Sequence, residues 1–195
     1  MTMEAFGDEF GEEPKPWDGP KAWDVQPGWM SEEELASTRG RVPMLYVEAL
    51  PVRVDAAGAV VAVGLLLRSS STTGLIARSL VSGRVLHGEQ IRDALMRNLE
   101  KDLGPTAFPV LPASIVPAAV AEYFPWPTGR FHDPRQHAVS LAFVVPVSGE
   151  CHPRQDALEI SWVTPEEAIS EGFAEELEGG RASLLRQLLH HVGAI

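Results

Sequence analysis

Residues 82–105 read SGRVLHGEQIRDALMRNLEKDLGP, and they contain the most informative pattern in the chain. Apolar side chains recur there at every fourth position: Ile91, Leu95, Leu99 and Leu103. This spacing places them on one face of an α-helix. Gly104 and Pro105 follow at once, and such a pair is typical of a helix end. The stretch therefore predicts a helix over residues 90–103 with a buried apolar face.

Other positions of the same stretch follow a longer spacing. Five residues separate Gly83 from Glu89, and seven more separate Glu89 from Arg97. The signature of the Nudix hydrolases has Gly, five residues, Glu, seven residues and then Arg-Glu-aliphatic-any-Glu-Glu-any-Gly. Leu99 and Gly104 also fall on their places in that signature. The stretch thus resembles the Nudix family, whose members cleave nucleoside diphosphates linked to another group.

The elements around this stretch follow an order that is similar to the family. Runs rich in Val, Leu and Ile predict strands at 45–54, 60–67, 75–81, 138–147 and 158–163. Thr164 and Pro165 predict a helix start, and a leucine-rich run from Leu184 to Val192 predicts a final helix. The resemblance covers roughly residues 45–192. It implies an α/β fold of the Nudix type, an α/β/α sandwich with a mixed sheet, over residues 41–195.

The helix departs from the family at the positions that bind metal. The resemblance implies that three acids on one helix face hold Mg²⁺ or Mn²⁺, which binds pyrophosphate and activates water. This chain has Asn98, Lys101 and Asp102 at those positions, while Glu100 points away from them. A hard cation needs anionic oxygens and is repelled by an ammonium group. We therefore expect a degraded metal site, with Asp102 as its remaining acidic ligand.

Lys101 has an alternative role as a substitute for the missing metal charge. Its ammonium group would then occupy the place of the cation and contact a ligand phosphate as a point charge. The plainer interpretation is that Lys101 and Asp102 lie on a solvated face of the helix.

The two other charged positions of the signature, Glu89 and Arg97, are also open to two interpretations. In the first, Glu89 is a catalytic carboxylate beside Asp102, and Arg97 orients the acids on the helix. In the second, Glu89 is only an acid near the first helical turn, and Arg97 forms a surface salt bridge with Glu100 or Asp93.

One residue outside the helix is a candidate for ligand binding. Asp133, Pro134 and Arg135 precede the strand that begins at Ala138, and this segment also resembles family members. The triplet is a turn in the plainer interpretation. In the functional one, Arg135 lies at the mouth of a cleft and contacts a phosphate or a ribose of the ligand.

The first forty residues differ in composition from the rest of the chain. They contain ten acidic and three basic side chains, and thus −7 of the net charge of −11. Three of the five tryptophans also lie there: Trp17, Trp23 and Trp29. We predict an N-terminal extension over residues 1–40 with a short helix from Ser31 to about Arg39. Its indole rings are expected to dock on the protein's own body or on a second copy, forming a homodimer. The plainer interpretation is a disordered, solvated tail.

The composition limits the classes of partner. A net charge of −11 argues against nonspecific binding to nucleic-acid polymers or anionic membranes, whereas a small phosphorylated ligand needs only a few local cations. The single cysteine, Cys151, cannot form an intramolecular disulfide, and the longest apolar run, 59–67, is too short to span a bilayer. We expect a cytoplasmic protein.

Three hypotheses for function follow. The first is a Nudix-type pyrophosphohydrolase with weak or altered activity, in which Glu89, Arg97 and Asp102 are catalytic and Lys101 supplies part of the metal charge. The second is a binding or regulatory module that keeps the cleft of the fold without hydrolysis. The third is a scaffold whose tryptophan-bearing extension binds a protein partner.

Overall fold

A computed structural model of the chain describes residues 28–70, 74–127, 129–153 and 157–195. The predictions for Trp17 and Trp23 lie outside these residues. A seven-stranded mixed sheet forms the centre of the described part. Its strands are β1 Met44–Val54, β2 Val60–Ser69, β3 Ile76–Ser79, β4 Val81–Arg84, β5 Ala119–Tyr123, β6 Ala138–Pro146 and β7 Ala157–Val163.

Strand β1 lies in the middle of the sheet. It runs parallel to β6, with Tyr46 opposite Ser140, and antiparallel to β2 and β4 along its other edge. Strand β5 pairs with β6, and both β3 and β7 pair with β2, all antiparallel. Because successive side chains of β1 alternate between the two faces, its apolar sequence supplies two cores.

One face of the sheet packs against helix α2, Ile91–Leu103. Val47 and Ala49 of β1 belong to the same apolar cluster as the helix residues Leu95, Leu99 and Leu103. These three leucines are fully buried, and each contributes about 1.5–3 kcal/mol of hydrophobic stabilisation. Ile91 is only partly buried because it is the first residue of the helix.

The opposite face of the sheet packs against helix α5, Arg181–His191. Leu50 and Val52 of β1 meet the four buried leucines of that helix: Leu184, Leu185, Leu188 and Leu189. Val192, which we grouped with these leucines, follows the helix and is 38% exposed. Helices on both faces of a mixed sheet confirm the predicted α/β/α sandwich.

Three shorter α-helices, α1 Glu32–Arg39, α3 Pro165–Ala168 and α4 Glu171–Glu175, and a short 3₁₀ helix, Glu178–Gly180, complete the described part. The first begins at Ser31, whose hydroxyl accepts from the Glu34 amide while the Glu34 carboxylate accepts from the Ser31 amide. Thr164 and Glu167 form the same reciprocal cap at α3. Both helix starts agree with the sequence.

Two parts of the sheet differ from the prediction. The strand predicted over 75–81 is divided into β3 and β4 at the buried residue Leu80, and β4 continues through Ser82 and Gly83 because it pairs with β1. Strand β5 was not predicted, since its sequence AVAEY is short and alternates only weakly. Among the described residues, no helix is long and apolar enough to cross a membrane.

Candidate ligand-binding cleft

A cavity of about 660 Å³ opens where β2, β3 and β4 meet the loop at 132–135 and the start of α5. Four arginine side chains line it: Arg68, Arg78, Arg135 and Arg181. We call this cavity the arginine cleft. Four serines, Tyr46, Asp133 and Glu178 also contribute to its lining, so polar and charged groups of both signs surround it.

Each of these arginines is held by an acidic side chain. The pairs are Arg68 with Asp102 at 3.0 Å, Arg78 with Glu176 at 2.8 Å, Arg135 with Asp133 at 2.8 Å and Arg181 with Glu48 at 2.8 Å. A guanidinium group has five N–H donors, and an ion pair uses only part of them. The Arg68 Nε is buried and has no hydrogen-bond acceptor among the described residues. Arg68 is thus fixed in position by Asp102 and keeps an N–H donor that has no acceptor among the described residues.

Asn98 occupies the first of the three metal-ligand positions on α2. It is buried, and its side-chain nitrogen donates to the Ala94 carbonyl oxygen at 2.8 Å. Gly83 of β4 lies directly against it, because a Cβ atom at Gly83 would be 1.8 Å from the Asn98 Oδ1. Both motif positions therefore serve the close packing of α2 on β4.

Asp102 and Lys101 occupy the other two positions. One Asp102 oxygen lies 3.0 Å from the Arg68 Nη2, and the other lies 3.1 Å from the Lys101 Nζ. Lys101 also donates to the Ser82 carbonyl oxygen at 3.3 Å. Asp102 is buried, and its Oδ2 also accepts from the Ser82 amide at 3.4 Å. Lys101 thus lies beside the acid and is not part of a freely solvated face.

This donor set does not fit the metal cluster that the resemblance implies. Mg²⁺ and Mn²⁺ prefer several anionic or carbonyl oxygens. The three helix positions present one carboxylate, Asp102, and two cationic side chains already contact it. Within the described ranges, no group of three or more His, Cys, Asp or Glu side chains is arranged to hold a metal ion.

Glu89 and Arg97 form a bidentate ion pair. The Arg97 Nε and Nη2 donate to the two Glu89 oxygens at 2.7 and 2.8 Å, and the hydrogen bond from Arg97 lowers the pKa of Glu89. Glu89 also accepts from the Leu86 amide, and Arg97 donates to the Arg84 carbonyl oxygen. Arg97 therefore orients Glu89, and its salt bridge is not with Glu100 or Asp93. The pair ties the loop before α2 to the helix.

Arg135 lines the arginine cleft, and its segment, 133–135, is also a turn. Its position is therefore compatible with the plain turn and with a contact to a ligand. Its Nε and Nη2 each donate to an Asp133 oxygen at 2.8 Å, and Gln136 donates to the same carboxylate at 2.9 Å. Burial raises the pKa of Asp133, but the hydrogen bonds from Arg135 outweigh it and the net shift is downward. Asp133 is therefore a carboxylate that anchors Arg135.

Glu48, Tyr123 and Arg181 form a buried polar cluster that the sequence did not indicate. The Glu48 carboxylate accepts from the Tyr123 hydroxyl at 2.9 Å and from the Arg181 Nε at 2.8 Å. Burial raises the pKa of Tyr123, with a further rise from the charge of Glu48. Burial alone would lower the pKa of Arg181, but the neighbouring Glu48 raises it. The one signal in the sequence is an acid within the apolar run of β1.

Arg68, Arg78 and Arg181 were also missed. Arg68 and Arg78 follow or interrupt apolar stretches of β2 and β3, as surface arginines commonly do, and Arg181 is the first residue of α5. Only the assembled fold brings the three side chains to one cavity. Of the predicted site residues, Gly83 and Arg135 line the arginine cleft. Asp102 does not line it but accepts hydrogen bonds from two residues that do, Arg68 and Ser82.

Comparison with known proteins gives a family match over most of the chain. Residues 25–194 match the family described as a domain of unknown function (DUF4916). A crystal structure of a possible asymmetric diadenosine tetraphosphate (Ap4A) hydrolase from Jonesia denitrificans is 54% identical, with a TM-score of 0.76; the match covers 79% of this chain and 97% of that one. No match was found among curated protein sequences.

More distant structures are similar in fold. The Nudix domain of Shewanella oneidensis NrtR, complexed with ADP ribose, is 17% identical with a TM-score of 0.58, and covers 84% of this chain and 99% of its own. The MutT protein of Methanosarcina mazei is 19% identical with a TM-score of 0.57, and covers 77% of this chain and 96% of its own. At these identities the two similarities concern the fold alone.

Proposed function

The chain belongs to the DUF4916 family and has the Nudix hydrolase fold, and on this basis we propose that it binds a small molecule with a nucleoside-linked pyrophosphate in the arginine cleft. In this proposal, fixed guanidinium groups take over the charge that divalent metal supplies in Nudix hydrolases. The observation that carries it is the contact between Arg68 and Asp102, which places a cation on the last acid of the signature helix.

The chemistry of the cleft supports a phosphorylated ligand. Arginine presents several N–H donors in a planar array that matches phosphate oxygens, and it keeps its charge at every physiological pH. Four such groups line one cavity in a chain whose net charge is −11. Because an acid pairs with each guanidinium group, the cleft has no excess of positive charge. What it offers an anionic ligand is N–H donors held in position, such as the buried Arg68 Nε, which has no acceptor among the described residues.

The similar proteins suggest the ligand class. The Jonesia denitrificans protein carries the description of a possible Ap4A hydrolase, and the NrtR domain was crystallised with ADP ribose. Both compounds contain adenosine joined through phosphates to a second group. We therefore take diadenosine polyphosphates and ADP-ribose-like compounds as the first ligands to test.

The remaining carboxylates favour binding over hydrolysis. Asp102 contacts two cationic side chains, and both oxygens of Glu89 accept from Arg97. A general base must be able to take a proton, and the hydrogen bond from Arg97 lowers the pKa of Glu89, which makes this carboxylate a weaker base. Residual hydrolysis remains a second candidate function, favoured by the 54% identity to a possible hydrolase. In it, Glu89 and Asp102 would supply the carboxylates.

The test combines binding with product analysis. Ap4A and ADP ribose are titrated calorimetrically into the full chain with and without Mg²⁺ or Mn²⁺, and the same mixtures are analysed for nucleotide products by chromatography. Binding that does not require metal and yields no product supports the proposal. Metal-dependent product formation supports the second candidate instead, and no binding under any condition rejects both.

A matched pair of variants locates the ligand. Arg68→Gln is expected to weaken binding at least about tenfold, since a hydrogen bond to a charged group contributes about 1.5–3 kcal/mol. Arg186→Gln removes the same charge from an exposed position on α5 that does not line the arginine cleft, and it should leave affinity unchanged. Equal effects of the two changes would place the ligand elsewhere.

A further inference from the structure

A small polar chamber lies behind the arginine cleft, with a volume of about 50 Å³. The two cavities share part of their lining: Tyr46, Ser82, Asp133, Arg135 and Arg181. Five residues line only the chamber: Glu48, Tyr123, Gln136, Ala138 and Ser140. A ligand held by the arginines therefore has a polar recess next to it.

The register of the sheet places the residues that line this chamber. Ser140 of β6 is opposite Tyr46 of β1, and Glu48 follows two residues later on the same face of β1. Tyr123 of β5 is opposite Ala138, two residues before Ser140. These positions lie on the face that packs against α5, where the rest of the sheet is apolar. The small side chains of Ala138 and Ser140 leave the space open.

Ser140 has an unsatisfied hydroxyl group in this recess. It is 1% exposed, and its Oγ has no hydrogen-bond partner in the part of the chain that the structure describes. Glu48 differs, because its two oxygens accept from Arg181 and Tyr123. Buried hydroxyls normally have a partner, since leaving one unpaired is unfavourable. A polar group of a ligand that enters the chamber would give the Ser140 hydroxyl the partner that it lacks among the described residues.

The charges of the residues that line the chamber indicate which chemical group of a ligand it can hold. Two carboxylates, Glu48 and Asp133, are balanced by two guanidinium groups, Arg135 and Arg181. The lining is therefore neutral overall and does not attract a second phosphate. One water needs about 10–15 Å³ in this measure, so the chamber has room for only a few atoms that each hydrogen-bond. Adjacent hydroxyl groups meet both conditions.

We propose that the chamber receives the vicinal diol of a ribose in the bound nucleotide, with Ser140 as the residue that recognises it. This inference rests on the proposed function, because the phosphates in the arginine cleft bring the sugar to the recess. The hydroxyl of Ser140 both donates and accepts, as does each hydroxyl of a diol, so the contact satisfies both partners. The protein then distinguishes ribonucleotides from ligands that lack these hydroxyls.

The experiment compares Ap4A with its analogue lacking all 2′- and 3′-hydroxyls, by calorimetry on the full chain. Wild type should prefer Ap4A by about tenfold, as expected for one or two good hydrogen bonds. In the Ser140→Ala variant this preference should fall to less than about threefold. The variant should bind the analogue with the same affinity as wild type. Ser37→Ala, on the exposed side of α1, is the control and should keep the full preference.

Stability provides a second measurement. Ser140→Ala removes a hydroxyl that has no partner among the described residues, so its melting temperature should equal or exceed that of wild type. A clear decrease would show that the hydroxyl is already bonded, and the inference would be wrong. Equal affinity of wild type for both ligands, or a full preference in Ser140→Ala, would also overturn it. Failure of Ap4A and ADP ribose to bind at all would instead reject the proposed function.

Discussion

The Arg68 Nη2 lies 3.0 Å from the Asp102 Oδ2, so a strand β2 arginine neutralises the last acid of the α2 motif. Asp102 is buried, and the Lys101 Nζ contacts its other oxygen at 3.1 Å. Both cations would repel a divalent ion at this carboxylate. The sequence indicated only the lysine, because Arg68 is 34 residues away from Asp102.

This arrangement leads to a prediction for rebuilding the metal site. Asn98→Glu with Lys101→Glu restores three acids and removes one cation, and Mn²⁺ affinity should rise by several factors of ten at about 1.4 kcal/mol per factor. Adding Arg68→Gln should raise it further, since Asp102 then loses its second cation. Calorimetric titration of Mn²⁺ into wild type and both variants measures the two steps.

Arg186→Glu is a control for added negative charge in general, because it lies on an exposed part of α5 away from this helix face. It should not create a Mn²⁺ site. Tight binding of Mn²⁺ by wild type through α2 would show that the argument against the metal cluster is wrong. A folded triple variant that binds no metal would mean that α2 does not direct these side chains to a common point.

Much of the fold was predictable from local sequence. The spacing of the apolar side chains in 91–103 predicts which face of α2 is buried. The caps at Ser31 and Thr164 were also predictable, because each depends on a residue only three positions away. The division between β3 and β4 was not predictable. It depends on β4 pairing with β1, and 75–81 has no glycine or proline that would mark the break.

Less of the candidate site was predictable. The motif spacing located Gly83, Glu89 and Arg97. It did not identify Glu89 as the partner of Arg97, because Glu89 lies before α2 and eight residues away from Arg97. The pair of Arg181 and Glu48 spans 133 residues, and no local pattern reports such a contact. Side chains that line the arginine cleft from different strands become visible only when the sheet is assembled.

The contact between Gly83 and Asn98 predicts a coupled effect on stability. A Cβ atom at position 83 would lie 1.8 Å from the Asn98 Oδ1, so Gly83→Ala should cost about 1–3 kcal/mol of unfolding free energy. Asn98→Ala should cost about 1 kcal/mol because it removes the hydrogen bond to Ala94. The double variant should lose less than the sum, since the shorter side chain at position 98 leaves room for the new methyl group. Denaturant unfolding measures all three.

Gly172 supplies the control for this cycle. A Cβ atom there meets nothing within 4 Å, so Gly172→Ala should be neutral or slightly stabilising. Strict additivity of Gly83→Ala and Asn98→Ala would contradict close packing of α2 on β4 at this point.

The ion pair of Glu89 with Arg97 predicts a dependence of stability on pH. The folded protein lowers the pKa of Glu89 below its value of about 4.3 in an unfolded chain. The stabilisation is therefore complete above that value and is lost as the pH falls through the lower folded pKa. Arg97→Gln should cost about 1–3 kcal/mol at pH 7, and the difference from wild type should shrink below about pH 4.5. Denaturant unfolding between pH 7 and pH 3.5 follows this change.

Glu89→Gln removes the titrating group and keeps Arg97. Between pH 7 and pH 3.5 its stability should therefore change less than that of wild type. A cost of Arg97→Gln that stays constant down to pH 3.5 would mean that Arg97 acts through the Arg84 carbonyl alone.

The N-terminal extension gives the last prediction. Gly28 packs against the backbone of His87, the Trp29 ring lies 5.7 Å from the Arg84 guanidinium carbon, and Leu35 packs against the core on the α5 side. Deleting residues 1–30 should therefore lower the melting temperature or change the oligomer size, because apolar surface on the body becomes exposed. Differential scanning calorimetry and light scattering measure the two outcomes.

Two further variants separate the contributions of this segment. Trp29→Ala in the full chain should have only a small effect, about 0.5–1 kcal/mol, because the ring is 59% exposed and a contact of this kind is weak at the surface. Deleting residues 1–27 keeps Trp29 and removes Trp17 and Trp23. If that deletion reproduces the effect of removing 1–30, the first two tryptophans supply the contacts. If neither deletion changes melting temperature or oligomer size, residues 1–30 make no stabilising contact and the docking prediction is wrong.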